Sequence, residues 1–200
     1  AMVAAPEALE ISERRIVIDH HRRAADFVEN PLLTYLEPTA SSTSELVTEL
    51  VQYIEDDVRI NKLTAEGLLA GISLDTKNFA FKTGVRTFEA ASYLKKSGAD
   101  TIEVKKLFNS DIKDFITKAE IIQNAKVINN NICLAYTKTE TDNINIVIAQ
   151  AADELLNIKE VEASFVLARK DDRVFISARS LGNINVHVLM ENLGGGGHRD

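Results

Sequence analysis

Asp19-His20-His21 follows directly on Ile16-Val17-Ile18, a short β-branched apolar run. A carboxylate beside two imidazoles is a donor set for manganese, zinc or iron, and an oxygen-rich mixed set favours manganese. If the apolar run is a strand of an open parallel sheet, the triplet lies beyond its carboxyl end, where such sheets bind ligands. Adjacent side chains leaving a strand diverge. One histidine then serves a metal and the other faces substrate, with Asp19 orienting a ring by hydrogen bonding. The competing reading is a pair of surface histidines beside a capping aspartate. Arg22-Arg23 adds local positive charge next to the triplet. Guanidinium forks bind phosphate bidentately, although such pairs also form solvated contacts, here with Asp26 or Glu29. Far downstream stands Gly194-Gly195-Gly196-Gly197-His198. Glycines let a backbone press against a ligand and offer N–H groups as an anion nest. The alternative there is a flexible tail.

Several elements must position these residues. Arg14 to Asp19 reads as a short buried strand, since an unbroken β-branched run is typical of parallel sheets. Leu32 to Leu36 is a second apolar stretch, ending before Pro38. Ser42 and Glu45 have the spacing of a capping box. The helix they open places Leu46, Val47, Leu50, Val51 and Ile54 on one face. Another helix runs from about Thr64 through Leu68, Leu69 and Ile72 toward Asp75. Val85 to Lys96 and Asp111 to Lys126 read as amphipathic helices, with Gly98 and Asn109-Ser110 punctuating the chain between them.

Beyond residue 126 the texture changes. Val127-Ile128 and Ile132 to Tyr136 form an expected hairpin turning at Asn129-Asn130-Asn131, because asparagine tolerates positive φ. A helix over Asp142 to Asn157 follows, then strands Ala163 to Arg169 and Arg173 to Ala178 joined at Asp171-Asp172. A last helix, Ile184 to Leu193, ends in the glycines, as helix C-termini favour. An α/β half thus precedes a smaller α+β half.

Composition narrows the function. The 200 residues suffice for one large or two small cores. With 23 basic and 30 acidic residues the net charge is −7, which argues against general polyanion binding. Phosphate recognition must come from a local patch. The single cysteine, Cys133, excludes a disulfide framework and a thiolate zinc site and suits a reducing compartment. Between Ile132 and Leu134 it reads as a buried structural thiol. No stretch approaches the roughly 20 apolar residues that span a bilayer, and no signal peptide opens the chain. Ala1-Met2 reads as a cloning scar ahead of an internal segment of a longer protein.

Taken in order, Val17-Ile18-Asp19-His20-His21-Arg22-Arg23, Ala40-Ser41-Ser42-Thr43-Ser44-Glu45-Leu46, Gly71-Ile72-Ser73-Leu74-Asp75-Thr76, Ser177-Ala178-Arg179-Ser180 and the glycine run with His198 resemble one family. It is the DHH/DHHA1 phosphoesterases, and within them the bacterial cyclic-di-AMP phosphodiesterases with membrane-anchored full-length forms. The resemblance covers residues 14–198. It implies a truncated parallel-sheet DHH domain over residues 3–108, a helical connector to about 125, and a DHHA1 domain over 126–200 cut short at its C-terminus. It also implies two manganese ions in the intact parent, with His20 and Asp75 ligating one of them. His21, supported by Asp19, would contact the phosphate under attack. Arg22, Arg23, Arg179, Ser180, Gly194, Gly195, Gly196, Gly197 and His198 would hold the substrate.

The family carries further ligands, a His-x-x-x-Asp-x-Asp set and a bridging aspartate, that these 200 residues lack. The remaining histidine, His187, reads as a surface residue on the last helix. The expectation is therefore a cytoplasmic fragment of a membrane-anchored parent, itself without membrane contact, binding metal weakly and inactive alone. The parent would hydrolyse cyclic di-AMP to the pApA dinucleotide, with no part for duplex nucleic acid and with homodimerisation open. Rival readings are a nanoRNase acting on short oligoribonucleotides and a non-catalytic nucleotide-binding module.

Overall fold

A computed structural model describes residues 7–11, 14–21, 28, 30–54, 59–129, 131–139 and 141–196. Two compact units emerge, Ala1–Asn109 and Ser110–Asp200.

In the first unit, strands β1 (Ile16–Asp19) and β2 (Leu33–Leu36) pair in parallel, with Asp19 opposite Leu36. The parallel pairing agrees with the β-branched run, but β1 is shorter than expected and not buried. Ile16 is exposed and the other three residues are half-buried. Among the described residues this sheet has only β2 beside β1, and α2 (Thr43–Tyr53) packs against β1. A short α1 (Ala8–Ile11) precedes it, and α3 (Lys62–Asp75), α4 (Val85–Lys96) and α5 (Thr101–Lys106) complete the unit. Pattern reading misses α5, which starts from an Asp100 cap: its carboxylate accepts the Ile102 N–H at 2.8 Å. Ala65, Leu69, Ile72, Ala90 and Leu94 form the core between α3 and α4.

Helix α2 corrects the expected apolar face. Ser42 is its N-cap and accepts the Glu45 N–H at 3.0 Å, yet the Glu45 carboxylate accepts from the Ser41 hydroxyl at 2.5 Å, outside the expected box. The residues buried most are Glu45, Leu46 and Thr48, while Ile54 is the exposed C-cap. The helix thus turns Glu45 and Thr48 inward, the Glu45 carboxylate met by the Ser41 hydroxyl and the Thr48 hydroxyl donating to the Ser44 carbonyl, as burial demands. Ser42→Ala is expected to remove about 1 kcal/mol, read as an earlier urea transition of the first unit.

The second unit is a four-stranded sheet ordered β3 (Lys126–Ile128), β4 (Ile132–Thr137), β5 (Ala163–Lys170), β6 (Arg173–Ser180). The β3–β4 and β5–β6 neighbours are antiparallel hairpins, turning through left-handed Asn129 and Asp171. β4 and β5 are parallel, joined by α7 (Ile144–Leu156), as a parallel pair requires a crossover. Helix α6 (Ile112–Gln123), which the sequence suggests as a connector, packs on α7 and β4 within this unit. Ile121, Val147, Ile148, Ala151 and Leu155 meet Cys133, Ala135, Val166 and Ala168 in its core. Helix α8 (Val186–Asn192) follows β6.

Cys133 is the buried structural thiol expected, 1% exposed, and burial pushes its pKa up. It should resist a disulfide reagent such as DTNB in the native chain and react fully once the chain is unfolded in guanidinium. Rapid native labelling would contradict this packing.

Candidate functional site

The first-unit site is built at the end of β1. The strand ends at Asp19, so the alternation expected to separate His20 from His21 no longer applies. Their ring centroids are instead 4.3 Å apart, tilted by 60°. The two rings still have different surroundings. His20 is 11% exposed and its Nε2 lies 3.6 Å from Asp75 Oδ2, whereas the His21 side chain is 51% exposed and its Nδ1 lies 2.7 Å from Asp19 Oδ1. Asp19 also accepts the His21 backbone N–H at 3.1 Å. The ring that Asp19 orients is therefore His21.

Partial burial by itself raises the pKa of Asp19, but the hydrogen bonds from the His21 ring and backbone outweigh it and hold the carboxyl below its ordinary range. An ionised Asp19 is acceptor-only, so the bonded His21 Nδ1 carries the proton.

Asp75 comes from a different element. It is the last residue of α3, a helix with no basic residue in its final turn. The carboxylate thus adds its charge to the negative end of the helix dipole, and a cation relieves both. An imidazole nitrogen and a carboxylate oxygen that face each other, one nearly buried and one open to solvent, fit as two protein ligands of a divalent ion. Among the described residues no group of three or more histidine, cysteine, aspartate or glutamate side chains converges as a metal site. Arg22 and Arg23 lie outside the described residues.

The other predicted residues belong to the second unit. On β6, Arg179 Nε donates to Asp153 Oδ1 of α7 at 3.0 Å, so the guanidinium already has a carboxylate partner. Ser180 Oγ accepts the Gly182 N–H at 3.0 Å, shaping a turn whose glycine has φ of 107°. Sequence reading did not anticipate Asp153, because a helix aspartate has no local signature that names its cross-element partner.

The start of the glycine run closes α8 rather than forming a nest. Gly194, at φ of 78°, donates to Glu191 O at 3.0 Å, and Gly195 donates to Met190 O at 2.8 Å. This crossed pair is a Schellman cap. Two of the four N–H groups expected for an anion are thereby engaged, which leaves Gly196 of the described glycines. Gly197 and His198 lie outside the described residues. His187 is half-buried on α8, its Nδ1 3.6 Å from Glu191 Oε2.

Residues 3–72 match the DHH family N-terminal domain and residues 129–200 match the DHHA1 domain. The cyclic-di-AMP phosphodiesterase GdpP of Bacillus subtilis is 50% identical over 189 residues, 93% of this chain and 29% of that protein. The cyclic-di-AMP phosphodiesterase PdeA of Listeria monocytogenes is 45% identical over 199 residues, 99% of this chain and 30% of its own length. This chain therefore spans only about three tenths of these relatives. The crystal structure of an exopolyphosphatase-related protein from Bacteroides fragilis superposes with a TM-score of 0.82 at 26% identity, over 92% of this chain and 56% of that one. The chain belongs to the DHH/DHHA1 phosphoesterase family. Its described residues contain no helix long and apolar enough to cross a membrane.

Proposed function

We propose that the protein carrying this chain is a manganese-dependent phosphodiesterase that opens cyclic di-AMP to pApA. The observation that carries this reading is the approach of His20 Nε2 to Asp75 Oδ2, a facing imidazole and carboxylate joining a strand end to a helix end. His20 and Asp75 would hold the metal, which supplies Lewis-acid charge to the phosphoryl group. His21 stands beside it with its Nδ1 tied to Asp19, so its ring is pre-oriented to meet a phosphoryl oxygen. Similarity to GdpP and PdeA supports the cyclic dinucleotide as substrate.

Within the second unit, Arg179 and Gly196 would contact nucleotide phosphate. Arg179 would share its guanidinium between Asp153 and phosphate, as its forked donors allow. The parent's membrane anchorage belongs to the same reading. Among the described residues the site has only His20 and Asp75 as facing protein ligands, and this chain by itself is expected to bind manganese weakly and to yield no pApA.

The test is a direct comparison of cyclic di-AMP with a linear diribonucleotide as substrates of the full-length protein with manganese. The reading expects cyclic di-AMP to have the higher kcat/KM. Preference for the linear dinucleotide would replace it with a nanoRNase. Tight binding of cyclic di-AMP without turnover would mark a binding module.

A further inference from the structure

We infer that Thr76 is a positioning residue that sets the direction of the Asp75 carboxylate toward His20, an inference that rests on the metal reading above. The Asp75 carboxylate is 39% exposed, and among the described residues no hydrogen bond holds it. Burial and local donors therefore do not aim it; the backbone on either side does.

On one side is α3. On the other is a knot centred on Thr76, which is fully buried. Its hydroxyl donates to Ile72 O at 2.7 Å and accepts the Phe79 N–H at 2.9 Å. Its own N–H also bonds Ile72 O, at 3.0 Å, and its carbonyl accepts from Ala80 and Phe81, both at 2.9 Å. Between these bonds the chain passes through three successive left-handed residues, Lys77, Asn78 and Phe79, at φ of 47°, 56° and 66°. Asparagine takes that region readily. Lysine and phenylalanine do so at a cost, and a run of three persists only where the surroundings over-determine it.

The surroundings here are specific. Asn78 N–H reaches back to Ser73 O at 2.8 Å, and the Phe79 ring stacks on Phe88 of α4, centroids 5.6 Å apart. The Thr76 hydroxyl joins the last turn of α3 to this left-handed turn. Valine has the same shape and neither bond. Serine keeps both bonds and loses only a methyl.

Titration of the chain with manganese chloride, followed by paramagnetic broadening of the His20 ring protons in NMR spectra, tests the inference. Thr76→Ser is expected to bind as the unaltered chain does. Thr76→Val is expected to need about tenfold more manganese for the same broadening, with far-UV circular dichroism unchanged. Should Thr76→Val fail to fold, Thr76→Ala removes the same two hydroxyl bonds without a branched side chain and is expected to weaken the His20 response in the same sense. A His20 response that survives undiminished in Thr76→Val, or in Thr76→Ala where that variant is used, overturns the role of Thr76 alone. No selective broadening of His20 in the unaltered chain overturns the metal reading and this inference with it.

Discussion

His20→Ala is expected to lower hydrolysis of cyclic di-AMP by the full-length protein at least about 100-fold, since groups that merely support metal ligands already cost 10–100-fold when lost. His20 is nearly buried against Asp75, while the neighbouring His21 ring is tied through its Nδ1 to Asp19. Asp75→Ala should match it. Because both side chains serve one ion, the double variant should be little worse than either single one. Rates of pApA formation at saturating manganese, with circular dichroism as a check on folding, provide the comparison. Additive losses would mean that the two residues act separately.

Gly71→Val is expected to destabilise the first unit by about 3 kcal/mol, the upper part of the usual range for overpacking. Gly71 faces the first turn of α2 from the middle of α3, and a Cβ built there would lie 2.1 Å from Ser44 Oγ and 3.0 Å from Ser44 Cβ. The Ser44 carbonyl is itself bonded to the Thr48 hydroxyl at 2.7 Å, so this part of α2 does not yield easily. Since α3 ends in Asp75, any shift that relieves the clash also moves the candidate ligand. Thermal denaturation measures the loss, and Ser44→Gly in the same chain should recover part of it by making room. An unchanged melting temperature would show that the helices separate freely.

Much of the fold was legible because its signals are local. The residues of α4 follow their 3.6-residue pattern, and the hairpin at Asn129 and the joint at Asp171 use side chains that tolerate positive φ. The parallel pairing of β1 follows from an unbroken β-branched run. What escaped depends on partners distant in sequence or on competition between local bonds. Four hydroxyl-bearing residues, Ser41 to Ser44, precede Glu45, and spacing alone could not show that its carboxylate takes Ser41. The burial of β1 depended on what covers its faces, which no strand sequence states.

The candidate site divides the same way. The Asp19-His20-His21 triplet announces its chemistry, but which ring meets Asp19 depended on where the strand stops. Asp75 was reached through family resemblance, because a helix-terminal aspartate looks like any other until His20 is seen beside it. The glycine run suggested an anion nest from its composition. The cap on α8 takes its first two N–H groups because they lie nearest the helix end.

The most direct test of the account is incubation of the full-length protein with cyclic di-AMP, with and without manganese, followed by chromatography for pApA. The account predicts pApA when manganese is present and its loss when a chelator removes the metal. Absence of pApA under both conditions, or equal amounts in both, would contradict it.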